Sequence, residues 1–154
     1  SASWKIWGHL PHDIDWTINS YKDIFTFNTL EQAIAIAEYF PDVLVKNCML
    51  FIMLDQIKPM WEDVQNVNGG CFSYKIYHKT IQHVWTNLIY LLVGNTLTSN
   101  TDHMKYINGI TISPKKNFCI IKIWMSTCEF QDPAIITETD FLPSKGCFFR
   151  KHIN

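Results

Sequence analysis

An α+β fold, with a curved and mostly antiparallel β-sheet covered by helices on its convex face, is predicted by three features of the sequence. Segments of strand length are interrupted by two long amphipathic helical patterns, one opening near Asn28 and one near Thr80. Residues 47–54 form a near-continuous apolar run, the pattern of a central strand buried on both faces. Residues 118–125 alternate, with Cys119, Ile121, Ile123 and Met125 on one face and Ile120, Lys122 and Trp124 on the other. The first of these faces suits a core, whereas a lysine beside a tryptophan suits a surface left open for a ligand.

Taken in order, residues 4–7 read as a short strand, followed by a polar connection with Pro11, Asp13 and Asp15 that leaves Trp16 in a loop. Asn28 is placed to cap a helix, with Glu31 three residues on as in a capping box and Leu30, Ile34 and Ala37 recurring at helical spacing. Pro41 should end that helix. After the strand at 47–54, residues 59–70 form a long polar loop that opens on Trp61 and closes on Gly69-Gly70, and loops of this length are usually functional. A strand at 72–77 leads into a helix from Thr80 to Val93, with Ile81, Val84, Trp85, Leu88 and Leu92 on one face and Gly94 as the stop. Strands at 106–113 and 118–125 are joined by the turn residues Pro114-Lys115-Lys116-Asn117. A third, weakly written helix is expected around Asp132 to Thr139.

The chain has 154 residues and 47% hydrophobic content, which suits one domain spanning residues 1–154. A formal net charge of -1 excludes a protein that coats nucleic acid through bulk electrostatics, so any RNA contact must be local. The 5 cysteines are odd in number and lack the spacing of zinc or redox pairs, which points to free thiols in a reducing compartment, cytoplasmic or nuclear. No apolar run approaches the roughly 20 residues of a membrane span, so no membrane partner is expected. No charged-then-apolar signal segment opens the sequence, and the missing initiator Met suggests a trimmed N-terminus. The abundance of Ile, Asn and Lys suggests an AT-rich genome, such as that of a protist or a large DNA virus.

Catalytic signatures are thin. No nucleophile elbow, phosphate-cradling Gly-Lys loop or His-Glu-x-x-His helix occurs, and His9 and His12 lack a third ligand nearby in sequence. No catalytic residue, metal site or cofactor is expected. The 6 tryptophans are the compositional outlier. Trp61, in so polar a loop, is either a plug folded back on the core or an exposed stacking platform, and Glu62 favours the platform. Guanine presents two parallel donors, N1–H and the N2 amine, and a carboxylate accepts both at once. Trp16 is available for the opposite face. A base methylated at N7 carries delocalised positive charge, which an indole face attracts. Attached phosphates would require cations beside the sandwich, and the candidates are Lys115 and Lys116 in the hairpin, Lys122, and the group Lys145, Arg150 and Lys151. Arg150 is the only arginine, so lysine point charges would dominate the grip and make it salt-sensitive.

Trp61-Glu62-Asp63 followed by Asn66 and Gly69-Gly70 resembles the translation initiation factor 4E family of mRNA cap-binding proteins. Trp4-x-x-Trp7, Asn28-Thr29-x-Glu31, Trp85 with Leu91-Leu92-Val93-Gly94, and Ile123-Trp124 with Thr127-x-Glu129 extend the likeness over nearly the whole chain. The resemblance implies a cap-binding slot on the concave face of the sheet, with Trp16 and Trp61 as the stacking pair, Glu62 on the guanine edge and Trp124 against the N7-methyl group. Lys115 falls where the family usually has a phosphate-binding arginine. The family's next phosphate lysine is replaced by Ile120, with Lys122 two residues on along the same face as the substitute.

The resemblance also implies a dorsal partner surface over Leu30, Ile34, Thr86 and Asn87. Ile34 stands where the family has a tryptophan that docks scaffold factors and repressors, and Thr86-Asn87 replaces its Leu-Glu, which argues against the usual scaffold contact. The expected partner is therefore capped mRNA, bound by a monomer acting in translation initiation. A cap-sequestering regulator that does not engage the scaffold is the alternative, and a fold relative without cap recognition is the third reading.

Overall fold

The computed structural model describes residues 2–153. Its framework is a curved seven-stranded sheet in the order β2-β1-β3-β5-β6-β4-β7, with every neighbouring pair antiparallel. The strands are β1 (Trp4–His9), β2 (Lys22–Phe27), β3 (Met49–Leu54), β4 (Gly70–Ile76), β5 (Ile107–Pro114), β6 (Cys119–Met125) and β7 (Phe148–Lys151). The helices are α1 (Leu30–Tyr39), α2 (Asp42–Asn47) and α3 (Ile81–Val93). The α+β expectation holds, and the apolar run of β3 sits between β1 and β5 with its four central residues buried.

The two-residue period of the strands divides the sheet into a helix side and an open side. Ile6, Leu50, Ile52, Phe72, Ile110, Ile121 and Ile123 pack toward the helices together with Val84, Trp85, Leu88 and Leu92 of α3. Trp85 is fully buried and meets Phe40 at 5.0 Å between ring centroids. The open side has its own smaller cluster, formed by Phe51, Met53, Ile57, Cys71 and Trp124.

The structure differs from the sequence-based expectation at several elements. Helix α1 is capped one residue later than expected, by Thr29, whose hydroxyl accepts from the Gln32 amide while the Gln32 side chain returns to the Thr29 and Asn28 amides. Its inward face is Ala33, Ile36 and Ala37, which leaves Leu30 and Ile34 exposed. These alanines let α1 approach α3 closely enough for the Thr86 hydroxyl to donate to the Ala37 carbonyl. Helix α3 ends at Gly94 as expected, yet the left-handed position that completes the stop is Asn95, at φ 57.

Strands β2 and β7 and helix α2 are additional to the expected elements. The segment expected as a third helix instead holds one 3-10 turn, Pro133–Ile135, with Asp132 capping the Ala134 amide. A single turn is too short to present an amphipathic face, and only Ile135 and the following Ile136 pack against the core.

Candidate functional site

The loop between β3 and β4 owes its shape to Asp63 and Asn66. The Asp63 carboxylate accepts from the Lys58 amide at 2.9 Å and the Gln65 amide at 2.8 Å, closing the loop on itself. Asn66 is fully buried, and its side-chain amide donates to the Met60 carbonyl at 2.9 Å and the Lys58 carbonyl at 3.3 Å. The Asn66 side-chain oxygen accepts from Asn108 of β5 at 2.8 Å, and its backbone carbonyl accepts from His152 Nδ1 at 2.6 Å. A buried side chain satisfied this fully rigidifies what surrounds it. At the loop's exit Gly69 is obligatory, since a Cβ there would collide with the Met125 carbonyl.

With Asp63 and Asn66 occupied inside the loop, Trp61 and Glu62 point outward. Trp61 is 46% exposed, which rules out the plug reading. Trp16 is 51% exposed and stacks on the imidazole of His9, with centroids 3.9 Å apart and planes inclined by 3°. His9 is itself buried, with ring nitrogens 2.9 and 2.8 Å from the Leu10 and Asp15 carbonyls, so it backs the indole and holds its loop. Asp15 adds a turn by accepting from the Thr17 amide, a bond that holds its own pKa below the ordinary value.

Trp16, Tyr21, Phe51, Trp61, Glu62 and Trp124 line one slot of about 240 Å³ on the open side of the sheet. Tyr21 meets Phe51 edge-on at 5.4 Å, and Phe51 meets Trp124 edge-on at 6.5 Å, which makes an aromatic floor. Trp124 is 7% exposed, and its indole N–H donates to Thr111 at 2.6 Å, so the ring cannot swing away. Burial, with the charge of Glu62 nearby, pushes the Tyr21 phenol up to about 12.

A second and larger cavity, about 560 Å³, shares Trp61 and Trp124 with the slot and runs outward along β6, β4 and β7. Lys122, Arg150 and Lys151 line it, together with Lys75, which sequence reasoning missed. The alternation used for residues 118–125 would have found it, because Cys71, Ser73 and Lys75 share the open face of β4 in register with Trp124, Lys122 and Ile120. Lys115 and Lys116 line neither cavity. They occupy the β5–β6 turn, beyond the far end of a strand span that puts Phe118 roughly 20 Å from Trp124. Of the expected cations, Lys122, Arg150 and Lys151 are thus brought together and the hairpin pair is not.

Between slot and groove, Cys71 Sγ lies 3.1 Å from His152 Nε2. Burial pushes the thiol up to about 12, and burial also lowers the His152 pKa, against the opposing bond to Asn66 and with help from Lys122. The pair is therefore a thiol donating to a neutral imidazole, a structural contact that ties β7's end to β4. Among the described residues no group of three or more His, Cys, Asp or Glu could hold a metal ion, and no helix is long and apolar enough to cross a membrane.

Asn66→Ala should destabilise the protein by about 2 kcal/mol, because it removes the buried bonds to the Lys58 and Met60 carbonyls and takes the acceptor from one N–H of the Asn108 amide, whose other N–H stays on the Gln65 carbonyl. Chemical denaturation checks this, and an unchanged midpoint would show that the loop is held some other way.

The sequence profile of the eukaryotic initiation factor 4E family matches residues 1–139. A eukaryotic translation initiation factor 4E homolog of Acanthamoeba polyphaga mimivirus is 48% identical over 62 residues, 40% of this chain and 23% of that protein. Eukaryotic translation initiation factor 4E-2 of Schizosaccharomyces pombe is 27% identical over 135 residues, 84% of this chain and 54% of that protein. The matched region is thus less than two thirds of either relative's length. Among solved structures, that of Ascaris suum initiation factor 4E-3 with m7G cap superposes with a TM-score of 0.72 at 20% identity, covering 82% of this chain and 72% of that one. The complex of C. elegans initiation factor 4E-3 with the 4E-binding protein Mextli and cap analog gives 0.73 at 22% identity, covering 83% and 73%.

Proposed function

The chain belongs to the eukaryotic initiation factor 4E family, and from that membership and the geometry of the slot we propose that it binds the 7-methylguanosine cap of mRNA in translation initiation. The observation that supports the reading is that two half-exposed indoles, Trp16 and Trp61, line one slot together with the carboxylate of Glu62. A flat cation held there gains cation–π attraction of about 2 kcal/mol once desolvated and stacking of roughly 1 to 3 kcal/mol. Glu62 supplies two charge-assisted acceptors for the guanine edge and neutralises the ring. Trp124, fixed by Thr111, is the surface against which the N7-methyl group rests.

Lys122, Arg150 and Lys151 then take the phosphates, since the groove that they line opens directly from the slot. Each role is ground-state recognition by stacking and charge, so we read the chain as a binding protein rather than an enzyme, working in the cytoplasm as a monomer. Relatives of the same fold are described as complexes with m7G cap and with 4E-binding proteins, which supports both the ligand and a dorsal partner. On the dorsal face, Leu30 and Ile34 offer exposed aliphatic contact in place of an indole, while Thr86 is spent on the bond to Ala37.

Titration with 7-methyl-GTP should quench the intrinsic tryptophan fluorescence, and unmethylated GTP should bind at least about tenfold more weakly, because it lacks the cation–π term. Equal quenching by the two nucleotides would defeat the proposal.

A further inference from the structure

The base slot is apolar and aromatic almost throughout, and of the side chains that line it only those of Tyr21 and Glu62 carry an oxygen. Glu62 has the guanine edge to read. Tyr21 needs a different account, because a ring without a hydroxyl would make the same floor. Its position is closely set. The Tyr21 amide donates to the Ile18 carbonyl at 3.2 Å, and β2 begins at the next residue. The rings of His9, Trp16 and Phe51 meet the Tyr21 ring edge-on at 5.0, 6.3 and 5.4 Å, inclined by 61°, 63° and 62°, which fixes its plane.

Glu62 is the opposite case, an exposed side chain that loses rotamer freedom if it is to meet two guanine donors at once. A phenol taken out of water generally finds a hydrogen-bond partner, and Glu62 is the one side-chain oxygen that the slot offers Tyr21. The two are close enough to interact. Burial first, and then the charge of Glu62, push the phenol up to about 12, so it keeps its proton and is a donor at neutral pH. A carboxylate has about four lone-pair sites, of which the guanine donors use one on each oxygen. A third donor can therefore be accommodated. We infer that Tyr21 is a positioning residue for Glu62: its O–H donates to the carboxylate and turns both oxygens toward the guanine edge. This rests on the cap-binding reading above and adds to it the group that aims the acid.

The test is a double-mutant cycle on 7-methyl-GTP affinity, with the wild-type chain, Tyr21→Phe, Glu62→Ala and the double variant measured by competition against a fluorescent cap analogue. Tyr21→Phe should weaken binding by roughly three- to tenfold, the scale of one net hydrogen bond. In the Glu62→Ala background the same change should cost no more than about twofold, since no carboxylate is left to aim. Thermal melting of Tyr21→Phe should match wild type, because all three ring contacts are kept. An equal loss in both backgrounds would show that the phenol acts apart from Glu62 and would overturn the inference, as would wild-type affinity in Tyr21→Phe. Wild-type affinity in Glu62→Ala would instead remove the guanine-edge role together with this inference, and a wild-type chain that does not bind 7-methyl-GTP would remove the cap-binding reading itself.

Discussion

Trp61→Ala should weaken 7-methyl-GTP binding by at least about 100-fold and abolish most of the fluorescence quench. The variant removes one wall of the slot, and with it a cation–π contact of about 2 kcal/mol and stacking of roughly 1 to 3 kcal/mol. Their sum exceeds the 1.4 kcal/mol that corresponds to a factor of ten. The fold should hardly notice, because Trp61 is 46% exposed and the loop's shape depends on Asp63 and Asn66. Isothermal titration together with thermal melting separates the two effects. Binding within fivefold of wild type would show that the base does not rest on this indole. A melting point lowered by many degrees would show the ring to be structural.

Glu62→Gln should lower 7-methyl-GTP affinity by roughly 10- to 100-fold, the loss expected when charge-assisted bonds of about 1.5 to 3 kcal/mol are replaced by weaker neutral ones. The substitution preserves size, so a steric explanation is ruled out. It also turns one acceptor into a donor that faces a donor on guanine. The penalty for unmethylated GTP should be smaller, since only the methylated ring presents a positive charge to be neutralised. Competition of both nucleotides against a fluorescent cap analogue measures that difference directly. Wild-type affinity for 7-methyl-GTP would remove Glu62 from the guanine edge.

The elements with a strong period were legible in the residues. Helix α3 has its buried positions where Ile81, Val84, Trp85, Leu88 and Leu92 put them, and the alternation of β6 assigned its two faces correctly. Strand β2 was not legible, because five of its six residues are exposed and it joins the sheet through pairing with β1 alone. Helix α2 was hidden by its shortness and by Pro41, which ends one helix and caps the next. Strand β7 holds four residues, and only long-range pairing with β4 makes it a strand.

The site followed the same division. Trp16, Trp61 and Glu62 could be picked out because an indole or a carboxylate in a polar loop is conspicuous. The brace of Asn66, Asn108 and His152 was not, since it joins residues 42 and 86 positions apart. Lys75 could have been read from the alternation of β4, whereas Phe148 belongs to the groove through its register with Ser73, which no local pattern writes. Lys115 and Lys116 show the converse, being conspicuous in sequence and lining neither cavity.

Because β7 pairs with β4 alone, the line between them is the outermost seam of the sheet, fastened at one end by His152. Lys122 lies on β6 and Arg150 on β7, with β4 between them, so an anion gripped by both acts as a rivet across that seam. Linkage makes the effect reciprocal: whatever free energy the rivet adds to the edge is returned as tighter holding of the anion. Occupancy by ligand and integrity of the final strand are thereby two readings of one equilibrium.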